Sequence, residues 1–153
     1  MAKENATESD RARLSRMAYE AQLLQGQGQT LQQQLAQFRE TASQLGISIE
    51  SLRSIAKGKK VEMLVPVGAG AMVHARVERP DTALIEIGAG VVIEKDVEGA
   101  ISLLEKRLAA VNEAGARAEN EMIRVSKKLD VLDREARELM RRMGVVPEGA
   151  SEE

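Results

Sequence analysis

The stretch Leu64-Val65-Pro66-Val67-Gly68-Ala69-Gly70-Ala71-Met72-Val73 recurs twenty residues on as Leu84-Ile85-Glu86-Ile87-Gly88-Ala89-Gly90-Val91-Val92-Ile93. Each copy is a β-branched run, a Gly-Ala-Gly break and a second β-branched run. That is the pattern of a β-hairpin whose tight turn needs positive φ, which glycine adopts at little cost. Gly68, Gly70, Gly88 and Gly90 are the expected turn residues. Arg79-Pro80-Asp81 joins the two hairpins, and Pro66 inside the first strand points to an edge strand or a bulge, because proline cannot donate to a ladder. Residues 61–95 are therefore read as two tandem hairpins. Two hairpins of this length cannot cover both faces of their own sheet, and an isolated hairpin is marginal in water. Leu64, Val65, Val67, Met72, Val73, Leu84, Ile85, Ile87, Val91, Val92 and Ile93 are the candidate assembly residues, which need sheet from other chains.

On either side of this block the periodicity changes from two to three-and-a-half. Upstream, Leu14, Met17, Ala21, Leu24, Gly28, Leu31, Leu35, Phe38, Ala42, Leu45, Ile49, Leu52 and Ala56 alternate spacings of three and four, with no charged or polar residue on the seam. Downstream, Val97, Ile101, Leu104, Leu108, Val111, Gly115, Ala118, Met122, Val125, Leu129, Leu132, Ala136, Leu139 and Met143 do the same. Both are coiled-coil seams. The first helix is expected over 8–57, capped by Thr7, Ser9 or Asp10 and stopped by Gly58 in a left-handed conformation. The second is expected over 96–143 with Asp96 as its cap, followed by a flexible acidic tail over 144–153. Two seams of similar length around a block that reverses direction make one antiparallel stem. The preferred register sets Phe38 against Gly115, Gly28 against Val125, Leu31 against Met122 and Leu14 against Leu139, and meets the glycines with large residues so that volume fills evenly. The fold class is α+β, mainly α: one chain, one long antiparallel coiled-coil hairpin with two β-hairpins between its helices.

Composition agrees with helices packed along a narrow seam. The chain has one Phe, one Tyr and no Trp, although aromatic rings supply much of an ordinary globular core. A net charge of −2 gives no basic stripe for nucleic acid and no attraction to an anionic membrane. Absence of cysteine rules out disulfides and thiolate metal sites. The polar segment from Met1 to Asp10 lacks the apolar core of a signal peptide, and no run reaches the roughly 18 apolar residues of a membrane span. A cytoplasmic protein is the expectation.

Nothing in the sequence assembles a catalytic centre. The Gly-x-Gly pairs lack the third glycine, the Gly-Lys-Ser/Thr and the following helix of a phosphate loop, so hairpin turns account for them. His74 is the only histidine and lies in a strand. No nucleophile, base and oxyanion donor come together. No catalytic residue, metal site or cofactor is expected.

At the far end of the stem the start of the first helix meets the end of the second. Leu14, Met17, Tyr19, Leu139, Met140, Met143, Val145 and Val146 gather there as an apolar cluster that no further helix covers. Such a cluster is a candidate binding surface, and methionine adapts to partners of variable shape. It equally describes the fraying end of a coiled coil that serves oligomerisation alone.

The order helix, two hairpins, helix, with LVPVGAGAMVHARV over 64–77 and IGAGVVIEKDVEGAI over 87–101, resembles the alpha class of the prefoldin family. The likeness covers nearly the whole chain, and the doubled Gly-Ala-Gly hairpin separates it from the beta class, which carries one hairpin. The resemblance implies a hexamer of two alpha and four beta subunits whose strands close a β-barrel platform. It also implies an ATP-independent holdase of archaeal type that captures unfolded polypeptides at the coiled-coil ends and passes them to a group II chaperonin. Two other readings remain: a structural coiled-coil module without clients, and a nucleic-acid-binding coiled coil, which the scarcity of basic residues in the first helix disfavours.

Overall fold

The computed structural model describes residues 2–58 and 61–144. The elements run α1 (Ala2–Lys57), β1 (Val61–Gly68), β2 (Ala71–Val77), β3 (Thr82–Gly88), β4 (Val91–Asp96) and α2 (Val97–Arg142). This is the mainly helical α+β arrangement expected, with β1–β2 and β3–β4 as two separate two-stranded antiparallel sheets. Helix α1 starts at Ala2, earlier than residue 8, so Thr7, Ser9 and Asp10 lie inside it and do not cap it. The physical reason is local. Ala2 to Ala6 contains neither glycine nor proline and is rich in good helix formers, so nothing interrupts the helix there. Of the expected tail over 144–153, residues 145–153 lie outside the described residues.

The chain divides into two compact units, one drawn from Met1–Gln37 and Gly115–Glu153, the other from Phe38–Ala114. In the first unit α1 and α2 run antiparallel: Arg13 pairs with Glu135 at 3.8 Å and Gln27 donates to Glu121 at 3.4 Å. Met17, Leu24, Ala118, Val125 and Leu139 are its buried residues, all on the expected seams. A Cβ on Gly28 would stand 3.7 Å from Val125 Cγ1, so the anticipated pairing of those two positions is present. The exposed faces carry the charges. Arg137 pairs with Asp133 at 2.9 Å, whereas Arg134 donates to the carbonyl oxygen of Asp130, not to its carboxylate.

In the second unit Ile49 of α1, Ile85 of β3, and Ala100 and Leu104 of α2 form the core. The seam drifts near the sheets: Ile55 is half-buried and the expected Ala56 is exposed. Arg53 spans the two helices, 2.6 Å from Glu105 and 2.6 Å from Glu50. Gly58 ends α1 without positive φ, which corrects the expected left-handed stop. Its N–H donates to Ile55 at 3.1 Å, and a Cβ there would fall 2.5 Å from Val61 Cγ2. Close approach of the first strand is what requires glycine. At the start of α2 the Val97 N–H donates to the Asp81 carbonyl at 3.0 Å, and a Cβ on Gly99 would stand 2.6 Å from Asp96 Oδ1. The Asp96 carboxylate thus lies over the first turn, where a capping side chain belongs.

Both hairpin turns put positive φ on all three residues of Gly-Ala-Gly, including Ala69 at 48° and Ala89 at 49°. The two-residue loops Ala69-Gly70 and Ala89-Gly90 have the positive-φ pair of a type I′ turn, whose twist matches that of the strands. An alanine in this region costs roughly 1–2 kcal/mol. The register slips between Pro66 and Gly68, and again between Glu86 and Gly88, so the bulge anticipated at Pro66 occurs in both copies.

The two glycines of α1 in the first unit separate propensity from packing. Gly26 has nothing within 4 Å of a built Cβ, so Gly26→Ala is expected to raise stability by about 1 kcal/mol. Gly28→Leu should instead lower it by up to about 2 kcal/mol, because overpacking against Val125 outweighs the same gain in helix propensity. Urea denaturation of the two variants checks both signs.

Candidate functional site

The hairpins make opposite use of the same sequence pattern. In β3–β4, Ile85 pairs with Ile93 and both side chains face the helices. Ala83, Ile85 and Ile93 pack against Ala100, Leu103 and Leu104, and the Arg107 guanidinium donates to the Glu86 carbonyl at 2.7 Å. Ile85 and Ile93, grouped by sequence among the residues that other chains would cover, are instead covered by this chain's own helices. The outward residues of this hairpin remain open, Leu84 at 73% and Val92 at 54%.

The β1–β2 ribbon has no comparable cover among the described residues. Its cross-strand pairs Val61 with Val77, Met63 with Ala75, and Val65 with Val73 form one wholly apolar face. Val61, Ala75 and Val77 are half-buried and Met63 lines a groove with Ile47, Ser51 and Ile55 of α1, whereas Val65 and Val73 nearer the turn are exposed. The other face mixes Leu64, Pro66 and Met72 with His74 and an Arg76–Glu62 ion pair of 3.3 Å. Val67 at the bulge is 61% exposed, and Ile87 and Val91 flank the second turn in the open as well. Each sheet has only two strands, so each has an outer edge on either side with backbone groups that no strand pairs. Open edges beside an apolar face are the geometry that strand addition completes.

The residues expected at the coiled-coil ends fall into three groups. Met17 and Leu139 are buried between the helices, the latter at 2%. Leu14, Met140 and Met143 are half-buried, and Tyr19 is 65% exposed. Val145 and Val146 lie outside the described residues. Between the helices lies a groove of about 570 Å³ lined by Leu14, Met17, Ala21, Leu132, Ala136 and Met140, with Asp130 and Asp133 beside them. Sequence reasoning missed Leu23, one helical turn beyond Tyr19 and 57% exposed, together with Ile123 and Val131. The signal was available as apolar residues off the seam, but a heptad template does not look for them.

Electrostatics offers little for chemistry. Among the described residues Arg53 is the one group held away from its ordinary range, raised chiefly by its hydrogen bond to Glu50 and further by Glu105. Among the described residues no group of His, Asp and Glu side chains is placed to hold a metal, and no helix is long and apolar enough to cross a membrane.

A family model described as Prefoldin subunit matches residues 24–142, which takes in both hairpins and most of both seams. The chain belongs to the prefoldin family. It is similar to the prefoldin subunit alpha of Pyrococcus horikoshii, 31% identical over 86% of this chain and 90% of that one. The prefoldin subunit alpha of Methanosarcina acetivorans is 29% identical over 80% of this chain and 89% of its own. The same fold appears in a chain of filamentous PFD from Methanocaldococcus jannaschii, with a TM-score of 0.66 and 22% identity over 77% of this chain and 98% of that one. Within the prefoldin fold, then, this chain carries two hairpins that differ in what covers them.

That difference has a measurable consequence. Ile85→Ala removes a buried side chain and should destabilise the protein by about 2–4 kcal/mol. Leu84→Ala, one residue away on the open face, should stay within about 0.5 kcal/mol. Denaturation midpoints of the two variants decide whether the inward and outward assignments are right.

Proposed function

We propose that the chain is a subunit of a hexameric prefoldin, two of this alpha type with four of a beta type, working in the cytoplasm as an ATP-independent holdase. Its hairpins supply strands to a shared β-barrel platform. The helix ends capture unfolded polypeptides, which pass to a group II chaperonin. The reading is non-catalytic, in keeping with a family of chaperone subunits. The observation that carries it is the β1–β2 ribbon, whose edges no strand pairs and whose apolar face is open at Val65 and Val73 among the described residues. Burying such a face contributes about 25 cal/mol per Å², enough to drive association when several ribbons close on one another. Capture at each helix end is weak alone, and several ends around one space convert weak contacts into avidity.

A second reading, a purely structural coiled-coil oligomeriser, draws support from the burial of Met17 and Leu139 in the seam. Aggregation of a denatured client, with and without the complex of this chain and a beta-type subunit, separates the two. Suppression is expected; its absence from a correctly assembled hexamer would leave the structural reading. Removing residues 1–17, or everything after Leu139, should leave the hexamer intact by native mass measurement while weakening suppression. Val65→Lys with Val73→Lys should prevent assembly.

A further inference from the structure

We infer that the outer face of α1 beneath the first hairpin belongs to the assembly interface, where it seats an aliphatic side chain of the strand that a beta-type neighbour adds beside β1. This rests on the hexamer proposed above and makes a helix surface, besides the strands, a determinant of partner binding. A groove of about 600 Å³ lies between the two elements, lined by Gly46, Ile47, Ser51 and Ile55 of α1 and by Met63 of β1. Ile47 is 64% exposed and stands off the seam of Leu45, Ile49 and Leu52, so packing against α2 does not require an isoleucine there. A Cβ built on Gly46 meets nothing within 4 Å, so the groove has room beside that isoleucine. Among the described lining residues the only ionisable side chain is Glu50, which Arg53 holds at 2.6 Å. Such a site suits a neutral aliphatic group. Its position identifies what enters it. Among the described residues no side chain of β2 lines the groove, so it opens on the side of β1 that β2 does not pair. A strand added at that edge runs about 4.8 Å from β1. Its side chains on the same face then fall beside Met63 and over Ile47. The apolar face of Val61, Met63 and Val65 thus continues through Met63 onto α1. With four beta-type chains to two of this one, the strand is assigned to a beta-type neighbour.

Titration of the full chain with a beta-type subunit, followed by native mass, tests it. Ile47→Glu should weaken assembly about tenfold, the order expected when an isoleucine that a partner covers is lost. Gly46→Phe fills the groove in advance and should weaken assembly likewise, whereas Gly46→Ala should stay within about twofold of the wild type. Leu23→Glu, at a similarly exposed position of α1 away from the groove, should leave assembly unchanged, and helical content should hold in all four variants. Wild-type assembly by both Ile47→Glu and Gly46→Phe would overturn the inference while leaving the hexamer standing. Weakened self-association of this chain alone on Ile47→Glu, with unaltered binding to the beta-type subunit, would give the groove to a second copy and likewise overturn it. Failure of the wild-type chain to assemble with a beta-type subunit would overturn the hexamer reading itself.

Discussion

A two-stranded ribbon has two faces and two open edges, and a chain that spends its middle on two such ribbons must find cover for them. Here the constraint is met once from within. The β3–β4 ribbon lies on its own helices through Ile85 and Ile93, with Ala100 small enough to admit it and Arg107 tying down a strand carbonyl. For β1–β2 the same solution is absent among the described residues, and its Val65–Val73 face stays open. Unpaired strand edges beside an apolar face are ordinarily blunted by charge, proline or a covering element. Bulges at Pro66 and Glu86 interrupt the ladder near the turns, but they leave the face itself apolar. A ribbon so built is stable in company, which is why assembly follows from it more directly than from any feature of the helices.

The helices answer a different requirement. With almost no aromatic area, stability has to come from long seams of aliphatic side chains, and those seams hold down to Val125 and Leu139 at 3% and 2% exposure. Glycine is accommodated where it packs, as Gly28 does against Val125, and is merely tolerated where it does not, as at Gly26. The outer faces carry charge in i, i+4 and cross-helix pairs such as Arg137 with Asp133 and Arg53 with Glu105. Exposed pairs of this kind contribute little energy, so they set solubility more than fold.

Much of this is legible in the sequence. The three-four spacing identified both helices and the Gly28–Val125 layer, and the doubled Gly-Ala-Gly located both turns. What escaped was the direction of the second ribbon. Leu84, Ile85 and Ile87 are all apolar, so alternation does not reveal which face turns inward; that is decided by the partner surface on α2. Ala100, fully buried, sits one step off the heptad seam, and with Leu103 and Arg107 it forms a second stripe facing β3–β4. A seam template has no place for such a stripe. Gly58 has the sequence context of a conformational stop, but its role is steric, because the approach of Val61 is a tertiary fact. At the helix ends the pattern does not divide residues that close the seam, such as Leu139, from those left exposed, such as Tyr19.

On the proposed assembly, the first hairpin needs neighbouring chains to hold its inner face, whereas the second is already held on that face by this chain's own helices. Amide hydrogen exchange on the chain before and after mixing with a beta-type subunit tests it most directly. Backbone amides of β3–β4 should be protected in both states, and those of β1–β2 should gain protection on assembly. Equal and strong protection of β1–β2 in the unassembled chain would contradict it.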